Sequence, residues 1–232
     1  MTIDTMRHEG IFDYEKFLLP IHIIGIGGVG SHVVYHLAKM GCGRVNDLHV
    51  WDGDIVELHN VGNQKYDKRD VADNLTKTAA LVRHASWWDC KRMIQHCEYI
   101  DGQRELDGIV FVCLDSMSAR WMIWETSIRR NPAVKLLVEC RMEASNALIH
   151  VIDPHDEKQV RGWEKYWYPD EEATNAAGCG GHLSVGPTAS ITADIAVWQM
   201  IRFAALEEGL DDVLDNQIRI SMRPLRVETF KW

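Results

Sequence analysis

The chain has 232 residues, of which 46% are hydrophobic and 25% charged, a globular composition that excludes a disordered or low-complexity protein. Lys plus Arg number 25 against 34 Asp plus Glu, for a formal net charge of −9. A surface that acidic repels phosphate backbones, so no nucleic-acid partner is expected.

The first residues, MTIDTMRHEG, carry Asp4 and Glu9 and lack the apolar stretch of an export signal. Ile21 to Ile26 (IHIIGI) reads as a buried strand, followed by a glycine turn. Val29 to Met40 reads as a helix with Val33, Leu37 and Met40 on one face, ended by Gly41 and Gly43. Leu48 to Trp51 is a second short strand, Asp70 to Ala85 a helix, and Met93 to Tyr99 a third strand. Ile109 to Leu114 (IVFVCL) is a buried strand leading into a helix from about Ser118 to Arg129. Val134 to Glu139 and Ala147 to Ile152 are further strands. Val160 to Gly181 reads as a long crossover loop and Thr188 to Leu206 as a strong helix. Gln217 to Phe230 alternates and is split by Pro224, which fits antiparallel strands at a sheet edge.

Strands alternating with helices predict an α/β fold: a doubly wound, Rossmann-like, mostly parallel sheet with antiparallel C-terminal edge strands. One domain is expected over 1–232, with a nucleotide-binding half (1–152) and a second half (153–232) holding the crossover loop, the long helix and the last strands. The charge-free stretches 21–38 and 173–193 are interrupted by glycines and polar residues, so no membrane span is expected. The six cysteines form no C-x-x-C pair, and a reduced, cytoplasmic chain without disulfides or structural zinc is the expectation.

Gly25, Gly27 and Gly30 form G-x-G-x-x-G between the first strand and the first helix. Glycine there permits the tight turn and lets backbone N–H groups approach a phosphate, which the helix N-terminus also attracts. Asp52 follows at the end of the second strand, about twenty residues on, where a carboxylate accepts hydrogen bonds from ribose hydroxyls. At this point NAD and ATP are equally good readings.

The residues beyond Asp52 separate them. WDGDIVELHNVGNQKY contains D-x-D-x-V-E-x-x-N-x-x-x-Q, GIGGVGS precedes it, and CLDSMSAR follows the IVFVCL strand. Jointly these motifs resemble the ThiF/MoeB-like family, which includes the catalytic domains of ubiquitin-activating enzymes, over roughly Arg7 to Leu206. The resemblance implies an ATP- and magnesium-dependent adenylyltransferase. It would activate the C-terminal carboxylate of a ubiquitin-like or sulfur-carrier protein with a Gly-Gly tail, or of a peptide. It implies that Gly28 touches the phosphates, that Asp52 takes the ribose, and that Asn60 and Gln64 line the nucleotide pocket. Lys77 matches the lysine that reaches the phosphates, Asp115 the magnesium-associated aspartate with Ser116 beside it, and Arg120 the arginine of the following helix. Adenylation brings a carboxylate onto an anionic phosphate, so positioning and cationic stabilisation are what such a site must supply.

The same residues have plainer readings: Asp115 or Ser118 as an N-cap, Lys77 as a solvated lysine, Arg120 as half of a structural ion pair, Asn60 and Gln64 as loop organisers. The family usually carries an arginine where this chain has Asn63; Lys65 or Arg69 would be the substitutes. Family homodimers donate an N-terminal arginine into the partner's site, and Arg7 is the one candidate. Cys179, in NAAGCGGHLSVGP with His182 nearby, matches a stretch that carries a thiol nucleophile in several members. Cys90, His96 and Cys97 lack ligand spacing, and the two cysteines read as buried ones in a strand and a helix. Trp163 and Trp167, expected in the crossover loop, are candidates to grip a partner. An NAD-dependent oxidoreductase, or a degenerate nucleotide-binding module without catalysis, are the competing functions.

Overall fold

The computed structural model describes residues 4–8, 10–172, 185–209 and 213–232. Eight strands form one sheet in the order β3-β2-β1-β4-β5-β6-β7-β8. The strands are β1 (Ile21–Ile24), β2 (Leu48–Trp51), β3 (Met93–His96), β4 (Gly108–Val112), β5 (Val134–Met142), β6 (Asn146–Ile152), β7 (Gln217–Met222) and β8 (Leu225–Phe230). Pairings from β3 across to β5 are parallel, and those from β5 to β8 are antiparallel. This is the doubly wound α/β sheet with antiparallel C-terminal edge strands that the alternation of elements predicts.

Every residue of β1 and β4 is buried, because helices cover both faces of a parallel sheet. On one face, Ile21, Ile23, Phe111 and Val138 pack with α1 (Gly28–Lys39), α3 (Lys77–Ala85) and α6 (Gly186–Glu207). On the other, Ile24, Trp51, Val110 and Leu137 pack with α4 (Met117–Ile123) and α5 (Glu157–Glu164). Valines and leucines at helical spacing turn α1 toward the sheet, and Ala189, Ala193 and Ala196 make α6 slim enough to lie against it. None of the helices over the described residues is long and apolar enough to cross a membrane.

Four expectations change. The helix expected over Asp70 to Ala85 is two: α2 (Lys68–Ala72), whose Asp67 and Asp70 form a capping box, and α3, capped by Thr76. Asn74 between them is left-handed at φ 49°, and Thr76 bridges to Ile55, so the chain cannot stay helical there. The crossover loop begins with a helix, α5, capped by Asp156. Its Trp163 is buried at 1% exposure, stacked near Trp121 and Trp124, and Trp167 donates to the Met117 carbonyl at 3.3 Å. Trp163 is thus part of the core, whereas Trp167 is half-buried against the start of α4. Of the two cysteines expected to be buried, Cys90 is, whereas Cys97 is exposed where β3 ends; His96 stacks on Trp51.

Candidate functional site

β1 sits where strand order reverses, with β2 on one side and β4 on the other, and ligands in such sheets bind beyond the carboxyl ends at this switch point. A cleft of about 640 Å³ lies there. It is lined by Gly25, Gly27, Gly28, Asp52, Asn60, Gln64, Lys77, Asp115 and Ser116, nine residues singled out from the sequence. Gly30 supports the loop from behind. A Cβ on Gly30 would stand 1.9 Å from the Gly25 carbonyl oxygen, and Gly25 itself turns at φ +81° against Cys113 and Leu114. Only glycine satisfies both requirements. Gly27, at the N-cap of α1, faces open space, and the first turn of α1 contains no acidic residue. Its first N–H groups and dipole face the cleft as an anion cradle.

Asp52 is tied into the loop it serves. Its Oδ2 accepts from the Ile26 amide at 3.0 Å and its Oδ1 from the Asp54 amide at 2.9 Å. Burial raises its carboxyl above the usual range, although Lys77 and these amides oppose the shift. Lys77 is buried at the start of α3, with Nζ 2.6 Å from Asp54 Oδ2 and 3.6 Å from Asp52 Oδ2. It is therefore not a solvated lysine. Burial acts against the Asp54 charge, but hydrogen bonds from Lys77 and the Tyr99 hydroxyl outweigh it and hold that carboxyl below its ordinary value. Asp54 and Tyr99, with Glu57, His59 and Glu98, line the cleft without having been singled out. The second acid of D-x-D was the signal for Asp54; Tyr99 follows the third strand and carried none.

On the opposite wall Asp115 is exposed to the cleft and makes no hydrogen bond or ion pair with a described residue. It does not cap α4. Ser116 does, accepting from the Ala119 amide at 3.1 Å while donating to Asp170 Oδ2 at 3.0 Å. Capping thus leaves the neighbouring carboxylate unspent. Asn60 is buried, and its Oδ1 receives the Glu57 amide at 2.8 Å. Gln64 Oε1 is buried without a partner among the described residues. These features fit a nucleotide with its cation: a glycine cradle, a carboxylate anchored in the loop, one ammonium, and a free carboxylate.

Other expected residues lie elsewhere. Arg120 points into the sheet, with Nη1 on Glu139 at 2.5 Å and Nη2 on the Cys140 carbonyl at 2.7 Å and on that of Leu114. Lys65 lies over the Tyr35 ring, Arg69 is exposed, and neither lines the cleft, so no described cation replaces the arginine absent at Asn63. Arg7 is exposed in the N-terminal segment and does not line the cleft of its own chain. Cys179 and His182 lie outside the described residues. Asp67, Asp70 and His84 are grouped closely enough for a metal, but Asp70 is engaged by Arg83, by His84 and by the capping box, away from the cleft.

The sequence profile of the ThiF family matches residues 17–231. The chain belongs to the ThiF family. No curated protein sequence matches it. Among solved structures, this ThiF-family chain is similar to E. coli MccB with AMPCPP and MccA, at 16% identity and a TM-score of 0.64. It is also similar to E. coli MccB with ATP, at 16% and 0.64, and to PaaA, at 18% and 0.63. Each alignment covers 91% of this chain and 63% of the other, so the chain spans somewhat less than two thirds of the length of these relatives. At this identity the likeness establishes the fold.

Proposed function

We propose that the protein is an ATP-dependent adenylyltransferase that activates the C-terminal carboxylate of a peptide or small protein. One observation carries this reading: the glycine loop, Asp52, Lys77 and Asp115 line one cleft at the switch point of a ThiF-family sheet. The glycine loop and α1 cradle the phosphates, and Asp52 orients the ribose. Asp115 with water and phosphate oxygens fits the oxygen-rich ligation that magnesium prefers. A bound magnesium would neutralise phosphate charge. Lys77, released from Asp54 toward the triphosphate, stabilises charge as the substrate carboxylate oxygen bonds to the α-phosphorus and the bond to the β-phosphate breaks, so that pyrophosphate leaves. An NAD-dependent oxidoreductase would leave Lys77 and Asp115 without a task.

One MccB structure holds MccA together with AMPCPP, and a peptide or small-protein carboxylate, a Gly-Gly tail included, is the substrate this reading takes here. The reading extends to a cytoplasmic homodimer. Trp198 and Ile191 stand exposed on α6, with Met6 and Ile11 exposed in the N-terminal segment, a set of apolar groups suited to a second copy. From that segment Arg7 would reach the partner's cleft, and Cys179 remains a candidate acyl acceptor. The test is ATP–pyrophosphate exchange with magnesium and carrier proteins or peptides, against NADH titration. Exchange above background that falls in Lys77→Ala and Asp115→Ala supports the proposal; NADH binding without ATP binding overturns it. The loss of a cation at Asn63 favours a second reading, a nucleotide-binding module without catalysis, which ATP binding without any exchange would identify.

A further inference from the structure

A second cavity, of about 470 Å³, opens on the antiparallel half of the sheet. The strand pairings put Arg141, Leu148, Arg219 and Glu228 in one row across β5 to β8, and Asn146, Ser221 and Arg226 in the next. The opposite face of the same strands, Cys140, Ile149, Ile218 and Ile220, is core. Polar residues have thus been placed on a face that α4 and α5 leave partly open.

The charge on this face is out of balance. Glu139 is wholly buried and its two oxygens are divided among four donors. Arg120 and Arg141 share Oε1 at 2.5 and 2.7 Å, while His150 and Trp163 take Oε2 at 2.7 and 3.3 Å. Arg141, only 2% exposed, gives Nε to that carboxylate and Nη1 to the Tyr166 carbonyl. Its Nη2 has no partner among the described residues. A buried guanidinium with an unspent donor and half a carboxylate is costly unless an anion completes it. Arg219 and Arg226 line the same cavity; Arg219 is fixed over Tyr166 and Phe230, and Arg226 makes no ion pair with a described residue. The acids present do not discharge the cluster: Glu143 is within 3.4 Å of Asn146, and Glu228, directly across the ladder from Arg219, makes no ion pair with a described residue.

The cavity also lies toward the same edge of the sheet as the cleft. β4 and β5 are parallel, so Arg141 and Met142 leave the sheet at the same edge as Asp115. Arg120 ties the two walls together through the Leu114 and Cys140 carbonyls. We propose that this cavity, bounded by Arg141, Tyr166, Arg219, Ser221 and Arg226, is a specificity subsite that receives an acidic residue of the substrate upstream of the activated C terminus. The subsite deepens the adenylation reading and rests on it. Arginine presents paired donors that match a carboxylate, which is what selects Glu or Asp over an amide.

The probe is a set of fluorescent Gly/Ser peptides with free C termini, each carrying one Glu at a different position, and the same set with Gln. Binding to the full chain is read by anisotropy in the presence of AMPCPP. At one position Glu binds about tenfold or more tighter than Gln, as a charge-assisted hydrogen bond provides. Exposed Arg219→Gln and Arg226→Gln together bring the two peptides within about twofold, with thermal melting and AMPCPP affinity unchanged. Equal binding of Glu and Gln peptides at every position, absence of peptide binding, or a preference that survives the double variant overturns the subsite. Lack of pyrophosphate exchange with a preferred Glu peptide would instead remove the adenylation reading and leave the subsite standing, so the two failures are distinct.

Discussion

The protein holds two clusters of charged side chains, one at each half of the sheet, and they are built in opposite senses. At the switch point of the parallel half, Lys77 stands between Asp52 and Asp54 with Asp115 across the cleft, so carboxylates outnumber cations. In the antiparallel half, Glu139 stands between Arg120 and Arg141, so guanidiniums outnumber carboxylates. The first cluster opens to solvent and keeps a carboxylate unspent, which suits a metal and a polyanion that arrive together. The second is sealed beneath Trp163 and His150 and ties strands to helices, and its Arg141 edge meets a cavity.

Removing the charge at the centre of the buried cluster has the largest expected effect. Glu139→Gln leaves two buried guanidiniums without an anion and should cost about 3–5 kcal/mol, read by chemical denaturation. A loss below about 1 kcal/mol would mean that water or another group neutralises them. The cleft cluster should behave differently: Lys77 is buried, but its nearer partner Asp54 is half-exposed, so Lys77→Met should lower stability by less than Glu139→Gln does. Exchange should fall about 10²–10³-fold through lost stabilisation of developing charge. A melting temperature that collapses with activity would make Lys77 structural.

Acid should weaken the fold through its buried histidines. Burial lowers His22, His49, His96 and His150, and takes His32 from 6.5 to about 4. These rings are neutral in the native state, whereas the unfolded chain takes up protons below about 6.5. The histidine contribution is therefore complete above pH 6.5 and is lost as pH falls toward 4. Melting temperature should drop across that window, and a constant or rising value contradicts the neutral assignment. The smallest effect is expected at Ser116→Ala, which deletes the α4 cap next to Asp115 and should cost about 1 kcal/mol. A selective rise in the magnesium requirement would show that the cap also positions Asp115.

Much of the cleft was legible because its parts are local. A strand, a glycine turn and a helix follow one another within twenty residues, and Asp52 and Asp115 each end a strand that hydrophobic runs reveal. The family resemblance supplied Lys77, Asn60 and Gln64. Partners brought in over long separations were not legible. Asp170 reaches Ser116 across 54 positions and Tyr99 reaches Asp54 across 45, and no periodicity encodes such pairs. The split of the expected Asp70 to Ala85 helix depended on a bridge between Thr76 and Ile55, a tertiary contact that overrode a continuous helical pattern.

The amino-acid order determined the element types, the doubly wound sheet and the anion cradle, because hydrophobic period and glycine placement act on neighbours along the chain. Only the tertiary structure decided which charges are spent. Arg120 and Lys77 both sit on helices that follow strands, yet one is absorbed by Glu139 beneath the sheet and the other faces the cleft. The distinction follows from register: β5 places Glu139 opposite Val112 and within reach of Arg120, whereas no described residue pairs with Asp115. A charge becomes structural or functional according to what the fold packs against it, and that is a property of distance in space rather than of position in the chain.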